Sequence, residues 1–410
     1  MTKKILIVGF DTPYPDNYGG VVDVVRKFQF FKKKGYTLDV VCTSFDANRT
    51  SFFEEFLKSN NSLIEHYYIQ PIQPKNQLVK LFSRIPFSVK IRSIDFNRID
   101  FLKNTRYDLV LVEHLKSTQN IGSLKKFLAH QKSPFWLRLH NDEAVYYRNL
   151  MKVEPNFLKK TFFWLESQKY KSYQSLLLTK NDFDGFLYIS EADKARLSPS
   201  DLPHHLVLPI YQETLATRTT DKQFEYDFLY VGNLDSNDNW DALKRMLNFL
   251  KNKSLKSAKI AIVGRCTDKN REENLQTLFQ DFENLSLFLN ATNEELKEFY
   301  TISKFFLNFS SNSGGIKTKL IDAVNHLIPV ISDENGVVNS GFELVVLHAN
   351  KLDAQCLNQL LQNQTLYLQY HQKYSAMVLE KLQKQKKCMS FGILNLQIKC
   401  KAKCSFLSLS

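Results

Sequence analysis

Two glycines, two lysines and a carboxylate fall close together at Gly314, Gly315, Lys317, Lys319 and Asp322. They sit in a patterned stretch. An apolar run, Phe305 to Phe309, is short enough for a buried strand. A polar turn of small residues follows from Ser310 to Gly315 and includes Ser313. Leu320, Ile321, Val324, Leu327 and Ile328 then recur at helical spacing, Pro329 stops the pattern, and Val330-Ile331 opens another strand. A helix that starts after a glycine turn points free N–H groups and the positive end of its dipole at whatever lies beyond. That suits phosphate. Ile316 and Lys317 mark the expected helix start, Lys317 and Lys319 add cations there, and Asp322, one turn on, can accept hydrogen bonds from a ribose. The same residues equally fit an ordinary strand–helix turn with lysines facing water.

A second group lies at Arg138-Leu-His-Asn-Asp-Glu143, the end of a strand pattern that begins at Phe135. In open parallel sheets ligands bind beyond the carboxyl ends of strands, which is where His140 falls. An imidazole there can act as a base or a sugar contact, or be purely structural. A third candidate is Gly19-Gly20 at the start of a helix read over Val21 to Lys34 and capped by Gly35. Backbone could approach a ligand at this pair, but the spacing is not that of a dinucleotide fingerprint.

The elements that must position these residues repeat twice. Lys3 to Phe10 and Leu38 to Thr43 read as strands flanking the first helix, a βαβ unit that implies a parallel sheet. Strands return at Tyr107–Glu113, Phe135–His140 and Gly185–Ser190, and Asn156 to Leu178 reads as a long helix with Glu166 among aromatics. A second series has strands at Tyr226–Gly232, Lys259–Gly264, Leu285–Leu289, Phe305–Phe309 and Pro329–Ser332. Its clearest helix is marked by Trp240, Leu243, Met246, Leu247 and Leu250. The expected fold class is α/β, with a first domain over 1–208, a linker over 209–224, a second domain over 225–387 and a basic tail over 388–410. Residues 45–105 carry basic and aromatic patches such as Leu78 to Arg92, which fit either a pair of amphipathic helices or a membrane-surface contact.

Composition narrows the class. The chain has 410 residues, room for about two or three domains, and 43% hydrophobic content, enough for globular cores. No run reaches the ~18 apolar residues of a membrane span. The N-terminus enters a strand pattern without a small-residue cleavage site, so a secretory signal is not expected. Six cysteines without a CxxC pair suit a reducing cytoplasm and offer no metal or disulfide framework. Net charge is +13, of which the seven lysines from Lys381 onward supply 7. The remaining balance weakly favours anionic partners, and no nucleic-acid recognition motif accompanies it.

In order and spacing these stretches resemble the GT-B-fold retaining glycosyltransferases of family 4, also called glycosyl transferases group 1. Arg138-Leu-His-Asn-Asp-Glu143 is similar to the family's R-x-H-N-x-E segment, and Tyr188-Ile-Ser-Glu-Ala-Asp193 to its I-S-x-x-D. Phe228 to Asn233, with Asn239 and Trp240, resembles the opening of the donor domain, and Ile262-Val-Gly-Arg265 its second strand. Ser313 to Val324, running into Ile328-Pro-Val-Ile-Ser332, looks like the family's glycine–basic–acidic signature. The resemblance implies two Rossmann-like domains facing across a cleft and sugar transfer, with retention, from a UDP- or GDP-linked donor to a glycan or lipid-linked acceptor. It implies His140 and Lys319 as catalytic groups. On the donor side it implies Gly19, Gly20, Gly232, Asn233, Arg265, Ser313, Gly314, Gly315, Ile316, Lys317 and Asp322. On the acceptor side it implies Arg138, Asn141 and Glu143. No cofactor and no metal are expected, since no Asp-x-Asp falls at a suitable loop. The setting implied is surface polysaccharide synthesis, lipopolysaccharide included, in the cytoplasm or at the inner face of the membrane.

The departures are specific. The family's acidic pair falls on Gly314 and Asp322, so the first carboxylate is missing and the second is shortened. Asn233 stands where a cation is usual, and His326-Leu327 replaces the small residues before Ile-Pro-Val. These keep open a non-catalytic sugar-nucleotide or glycan-binding module in a polysaccharide-assembly complex. A sugar-nucleotide epimerase on the same fold is disfavoured, because no set of acidic residues faces the sugar.

Overall fold

The structure is a computed structural model that describes residues 3–15, 19–60, 63–72, 78–180, 182–198, 202–206, 224–312 and 316–383. Residues 209–223 of the linker read over 209–224, the tail from 384, and Ser313, Gly314 and Gly315 lie outside the described residues. Two compact units emerge. One contains Met1–Arg148 and Thr161–Ile210, the other Asn149–Lys160 and Tyr211–Gln385. The expected single block over 1–208 is therefore interrupted, because Asn149–Lys160 packs with the second unit.

The first unit contains β1 (Lys3–Gly9), α1 (Gly19–Lys33), β2 (Tyr36–Ser44), α2 (Ala47–Ser59), β3 (His66–Pro71), α3 (Phe87–Lys90) and α4 (Asp100–Asn104). It continues with β4 (Leu109–Glu113), α5 (Ile121–Phe127), β5 (Phe135–Leu139), α6 (Glu143–Val153) and α7 (Phe157–Thr179), then β6 (Gly185–Tyr188), α8 (Glu191–Leu197) and β7 (His204–Leu206). Helices α6 and α7 run into the Asn149–Lys160 segment. The seven strands are all parallel, in the order β3-β2-β1-β4-β5-β6-β7. Their continuous apolar runs follow from burial on both faces; β4 and β5 are buried almost throughout. Gly35 ends α1 at φ +79°, as its cap position requires.

The second unit contains β8 (Tyr226–Val231), α9 (Asn237–Asn252), β9 (Ile260–Gly264), α10 (Lys269–Leu278), β10 (Leu285–Leu289) and α11 (Asn293–Ile302). Then come β11 (Ser303–Asn308), α12 (Thr318–Asn325), β12 (Val330–Ser332), α13 (Glu334–Val337), β13 (Leu347–His348) and α14 (Ala354–Gln362). Its strands run β10-β9-β8-β11-β12-β13. Two apolar clusters fill its two faces, one centred on Met246, Ile260 and Phe305, the other on Phe306, Leu320 and Val324.

Both sheets change winding direction once, between β1 and β4 and between β8 and β11. The connections leave these strands on opposite sides there, which opens a crevice at the carboxyl ends. His140 follows β5 and Lys319 follows β11, so each falls near its own unit's switch point.

Three expectations change. Leu78 to Arg92 forms no helix pair. Leu78–Phe82 is a 3-10 turn and Phe87–Lys90 a single helical turn, because Pro86 interrupts the pattern. Helix α12 begins at Thr318, which makes Lys317 its N-cap residue rather than part of the first turn. Leu327, where the family has a small residue, takes φ +54°, a left-handed conformation that costs an L residue energy. His326 supports this turn: its Nδ1 pairs with the Asp322 carbonyl at 2.7 Å and its ring stacks on Tyr300.

The ends of β8 and β9 approach closely enough to dictate glycine. A Cβ on Gly264 would lie 1.8 Å from the Gly232 carbonyl oxygen. Gly264→Ala is therefore expected to destabilise the second unit by about 3 kcal/mol, the upper range for overpacking. Gly122→Ala, whose Cβ meets nothing within 4 Å on α5, should be neutral or stabilise by about 0.5–1 kcal/mol. Urea unfolding of the two variants checks the contrast.

Candidate active site

In the first unit, α1 follows β1 and lays Asp23 and Lys27, one turn apart, against the carboxyl ends of β4 and β5. Glu113 ends β4, while Arg138 lies near the end of β5. All four side chains are buried. Arg138 pairs with Asp23, Lys27 pairs with Glu113, and Lys27 also lies 3.2 Å from Asp23. Arg138 reaches Glu113 at 3.8 Å. Two carboxylates and two cations thus balance within one apolar enclosure, which is what makes burial tolerable. Burial pushes the Asp23 carboxyl up, but Arg138 and Lys27 pull harder and hold it below the usual range. Glu113 behaves alike, with Lys27 and the hydrogen bond from His140 bringing it to about 2. Its contribution to stability is complete above the ordinary 4.5 and is lost as the pH falls toward 2.

His140 sits on this network with Nε2 3.0 Å from Glu113 Oε2. An ionised carboxylate only accepts, so Nε2 carries the hydrogen and Nδ1 presents a lone pair that no described residue occupies. Burial, opposed by Glu113, keeps the ring below its ordinary pKa. The imidazole is therefore neutral at pH 7 and able to receive a proton from a hydroxyl. Its burial costs stability as the pH falls below 6.5, where the unfolded chain would charge it. Nitrogen-15 NMR of the ring is expected to show one neutral Nε2–H form between pH 6 and 8. Glu113→Gln, which can donate as well as accept, should give a mixture of tautomers.

A second dyad stands beside it. His114 adopts φ +77°, a strained conformation outside glycine. Its Nδ1 accepts from the Lys116 N–H at 3.0 Å, leaving Nε2–H for Glu143 Oε1 at 3.3 Å. Burial lowers His114 to about 3. Burial raises Glu143, yet Lys116 and His114 bring it below the usual carboxylate range. The two histidine rings lie 5.1 Å apart, with Phe10 against both. Asn141 donates to Glu143 at 3.3 Å. The R-x-H-N-x-E residues are thus gathered at one strand end. Arg138, however, is wholly buried and spends its guanidinium on the network.

Asp23, Glu113 and His140 offer ligand atoms within 4.8 Å of one another, the spacing of a metal site. Lys27 and Arg138 already neutralise both carboxylates, so the charge balance does not fit a dication.

In the second unit, Lys319 Nζ donates to the Phe309 carbonyl at 3.0 Å and lies 4.5 Å over the Tyr230 ring. It thereby spans the ends of β11 and β8. Burial and the Lys317 ammonium lower its pKa to about 8, while Asp238 and Asp333 pull it back up. Gly232 keeps this place open, since a Cβ there would meet the Tyr230 hydroxyl at 3.1 Å. Asn233 and Arg265 are brought together where Leu234 N–H donates to the Arg265 carbonyl at 2.8 Å. Asn233 holds the turn, accepting from Asp235 N–H and from the Asn239 amide. Arg265 is exposed, while Ile316, Lys317 and Asp322 are half-buried at or in α12. Gly19 and Gly20, read with the donor side, open α1 in the first unit.

Sequence reasoning passed over Asp23, Lys27, Glu113, His114 and Lys116. The available signal was charge inside apolar patterns: Asp23 and Lys27 interrupt Val21, Val24, Val25 and Phe28, and Glu113-His114 closes an unbroken apolar strand.

A family model described as "Glycosyl transferases group 1" matches residues 225–363, the stretch that holds Lys319 and both glycine approaches. That stretch, about a third of the chain, is similar to the glycosyl transferases group 1 family. A protein of Klebsiella pneumoniae, described as an uncharacterized 44.6 kDa protein in the cps region, is 27% identical over 376 residues, covering 86% of this chain and 89% of that one. Among solved structures, sucrose-phosphate synthase from Thermosynechococcus elongatus aligns with a TM-score of 0.65 at 15% identity, covering 98% of this chain and all of the other. Anabaena HepE in complex with UDP and glucose aligns with a TM-score of 0.58 at 11% identity, covering 96% and 99%. The fold is GT-B.

Proposed function

We propose that this protein transfers a sugar, with retention, from a UDP- or GDP-linked donor to a glycan or lipid-linked acceptor in surface polysaccharide synthesis. The observation that carries the reading is Lys319, a half-buried cation at the β8/β11 switch point, within the family-matched stretch. Its ammonium, the Lys317 side chain and the N-terminus of α12 present positive charge where a diphosphate leaving group would accumulate negative charge. Fixed groups of this kind stabilise a transition state without reorganising. His140, neutral with a free Nδ1, is assigned to a hydroxyl of donor sugar or acceptor; Glu113 orients it, and Glu143 completes the acceptor side. Cations supply the leaving-group stabilisation in this scheme, so turnover should survive EDTA. The cps-region relative supports the setting.

Nucleotide sugars are expected to raise the thermal midpoint by mass action, with one base preferred among UDP-, GDP- and dTDP-sugars. No shift with any of them on the wild type would sink the donor assignment. The missing carboxylate at Gly314 favours a second reading, a binding module without turnover. Nucleotide release that rises with acceptor supports the transferase; binding without release supports the module.

A further inference from the structure

The second unit has a groove that the proposed donor site does not use. Helices α9 and α10 follow the adjacent parallel strands β8 and β9, so they lie side by side on one face of the sheet. Trp240 and Lys244, one turn apart on α9, face the seam between the helices. Arg271, Asn274 and Leu278, spaced three and four apart on α10, face it from the other side, with Thr277. The groove holds about 310 Å³ and opens to solvent. Its walls are fixed. Trp240 Nε1 donates to the Leu234 carbonyl at 2.7 Å, and Trp240 and Leu278 pack on the cluster around Met246 and Ile260. Arg271 Cζ lies 5.0 Å from the centre of the indole, and Nη2 of the same guanidinium donates to Asn237 Oδ1 at 2.5 Å. Neither Arg271 nor Lys244 forms an ion pair with a described residue, and no acid lines the groove. Two cations left uncompensated over one groove repel each other, and an anion between them removes that cost.

We propose that this groove binds an acidic saccharide, a sugar residue bearing a carboxylate or a phosphate. The Arg271 fork and the Lys244 ammonium take the anion. The Asn274 amide and the Thr277 hydroxyl, both exposed, offer donors and acceptors to ring hydroxyls, and Leu278 forms the apolar wall. A nucleotide suits the groove poorly. The indole has Arg271 on one side and the core cluster behind it, so no open aromatic face remains for a base. The volume falls at the small end of ligand pockets, which suits a short saccharide. The groove also stands apart from Lys319. Helices α9 and α10 rest on the Met246 cluster and α12 on the Leu320 cluster, and these two clusters fill opposite faces of the sheet. An acidic glycan held here stays tethered to the second unit while the crevice at the β8/β11 switch point is free. The inference rests on the groove and not on sugar transfer, so the two can fail separately.

The test is calorimetric titration of the full chain, at low salt, with a glucuronate-containing oligosaccharide, with glucose 1-phosphate and with a neutral malto-oligosaccharide. An acidic probe is expected to bind and the neutral one not, and the probe that binds identifies the anion as carboxylate or phosphate. Arg271→Gln should weaken binding at least about tenfold and Lys244→Gln about fivefold, while Arg271→Lys restores only part. Lys319→Ala should bind like the wild type, which separates this groove from the donor site. Arg271→Gln also uncovers Trp240 and releases Asn237. Lys244 has no such contact, so Lys244→Gln should keep its thermal midpoint and still bind more weakly. The proposal is overturned if neither acidic probe binds the wild type, or if the neutral probe binds as tightly as they do. It is equally overturned if Lys244→Gln and Arg271→Gln both bind like the wild type, which places the contact elsewhere. Binding of an oligoglutamate peptide where neither acidic saccharide binds would assign the groove to an acidic protein segment instead.

Discussion

Lys319→Ala is expected to lower turnover by about 10²–10³-fold, the range for removing one fixed charge stabiliser. The loss should appear mainly in kcat, because charge on the leaving diphosphate grows after the donor is bound. The wild type should carry a signature of the same group. With its pKa lowered to about 8, the ammonium is present below that pH and disappears above it. On the proposed mechanism kcat/KM should fall as pH rises through about 8, and the alanine variant should lack that limb. Stability runs the other way. Burial makes the charged lysine a cost to folding at neutral pH, and this cost fades between about 8 and the ordinary 10.5. The alanine variant should therefore melt no earlier than the wild type at pH 7, apart from the lost bond to the Phe309 carbonyl. Lys319→Arg keeps the charge, but its planar fork does not fit between that carbonyl and the Tyr230 ring, so little activity should return.

Arg138→Met is expected to cost about 3–5 kcal/mol, the largest stability loss of any single change considered. It leaves Asp23 buried with only half of its compensation, beside a Lys27 already engaged by Glu113. Thermal unfolding should shift down by roughly 10 °C for a unit of this size. The double variant Asp23→Leu/Arg138→Met removes one charge of each sign and leaves Lys27 with Glu113. Much of the loss should then be recovered, giving a coupling of several kcal/mol in the cycle. Additive losses would mean that the two side chains do not compensate each other.

The core strands were legible because burial on both faces leaves unbroken apolar runs. Leu285–Leu289 falls where the pattern puts it, and the others within one or two residues. Edge strands were not. His66–Pro71 is exposed or half-exposed along its length, so no alternation marks it, and His204–Leu206 is too short to leave a pattern. In the site, Lys319 and His140 could be found because strand-end and helix-start positions have local signatures. Asp23, Lys27 and Glu113 could not be joined to them, since their meaning depends on which strands become neighbours. A charge in an apolar stripe reads as an interruption until the partner across the sheet is known. Leu327 taught the reverse: a departure in sequence proved to be a side chain accommodated in a left-handed turn.

The strand order also bears on when this machinery assembles. Pairing Lys3 with Tyr36 in β1 and β2 closes a loop of 33 residues, whereas pairing Ile5 with Leu109 in β1 and β4 closes 104. By chain entropy alone the second closure costs about 1 kcal/mol more, and it gains little until β4 is held by β5. The β1–β4 seam under Asp23, Glu113 and Arg138 should accordingly form late, after the folding barrier is crossed. Changes there should accelerate unfolding and leave the refolding rate nearly unchanged. The half of the molecule that holds His140 is thus guarded by kinetics as well as by equilibrium, and its lifetime is set by how slowly that one seam opens.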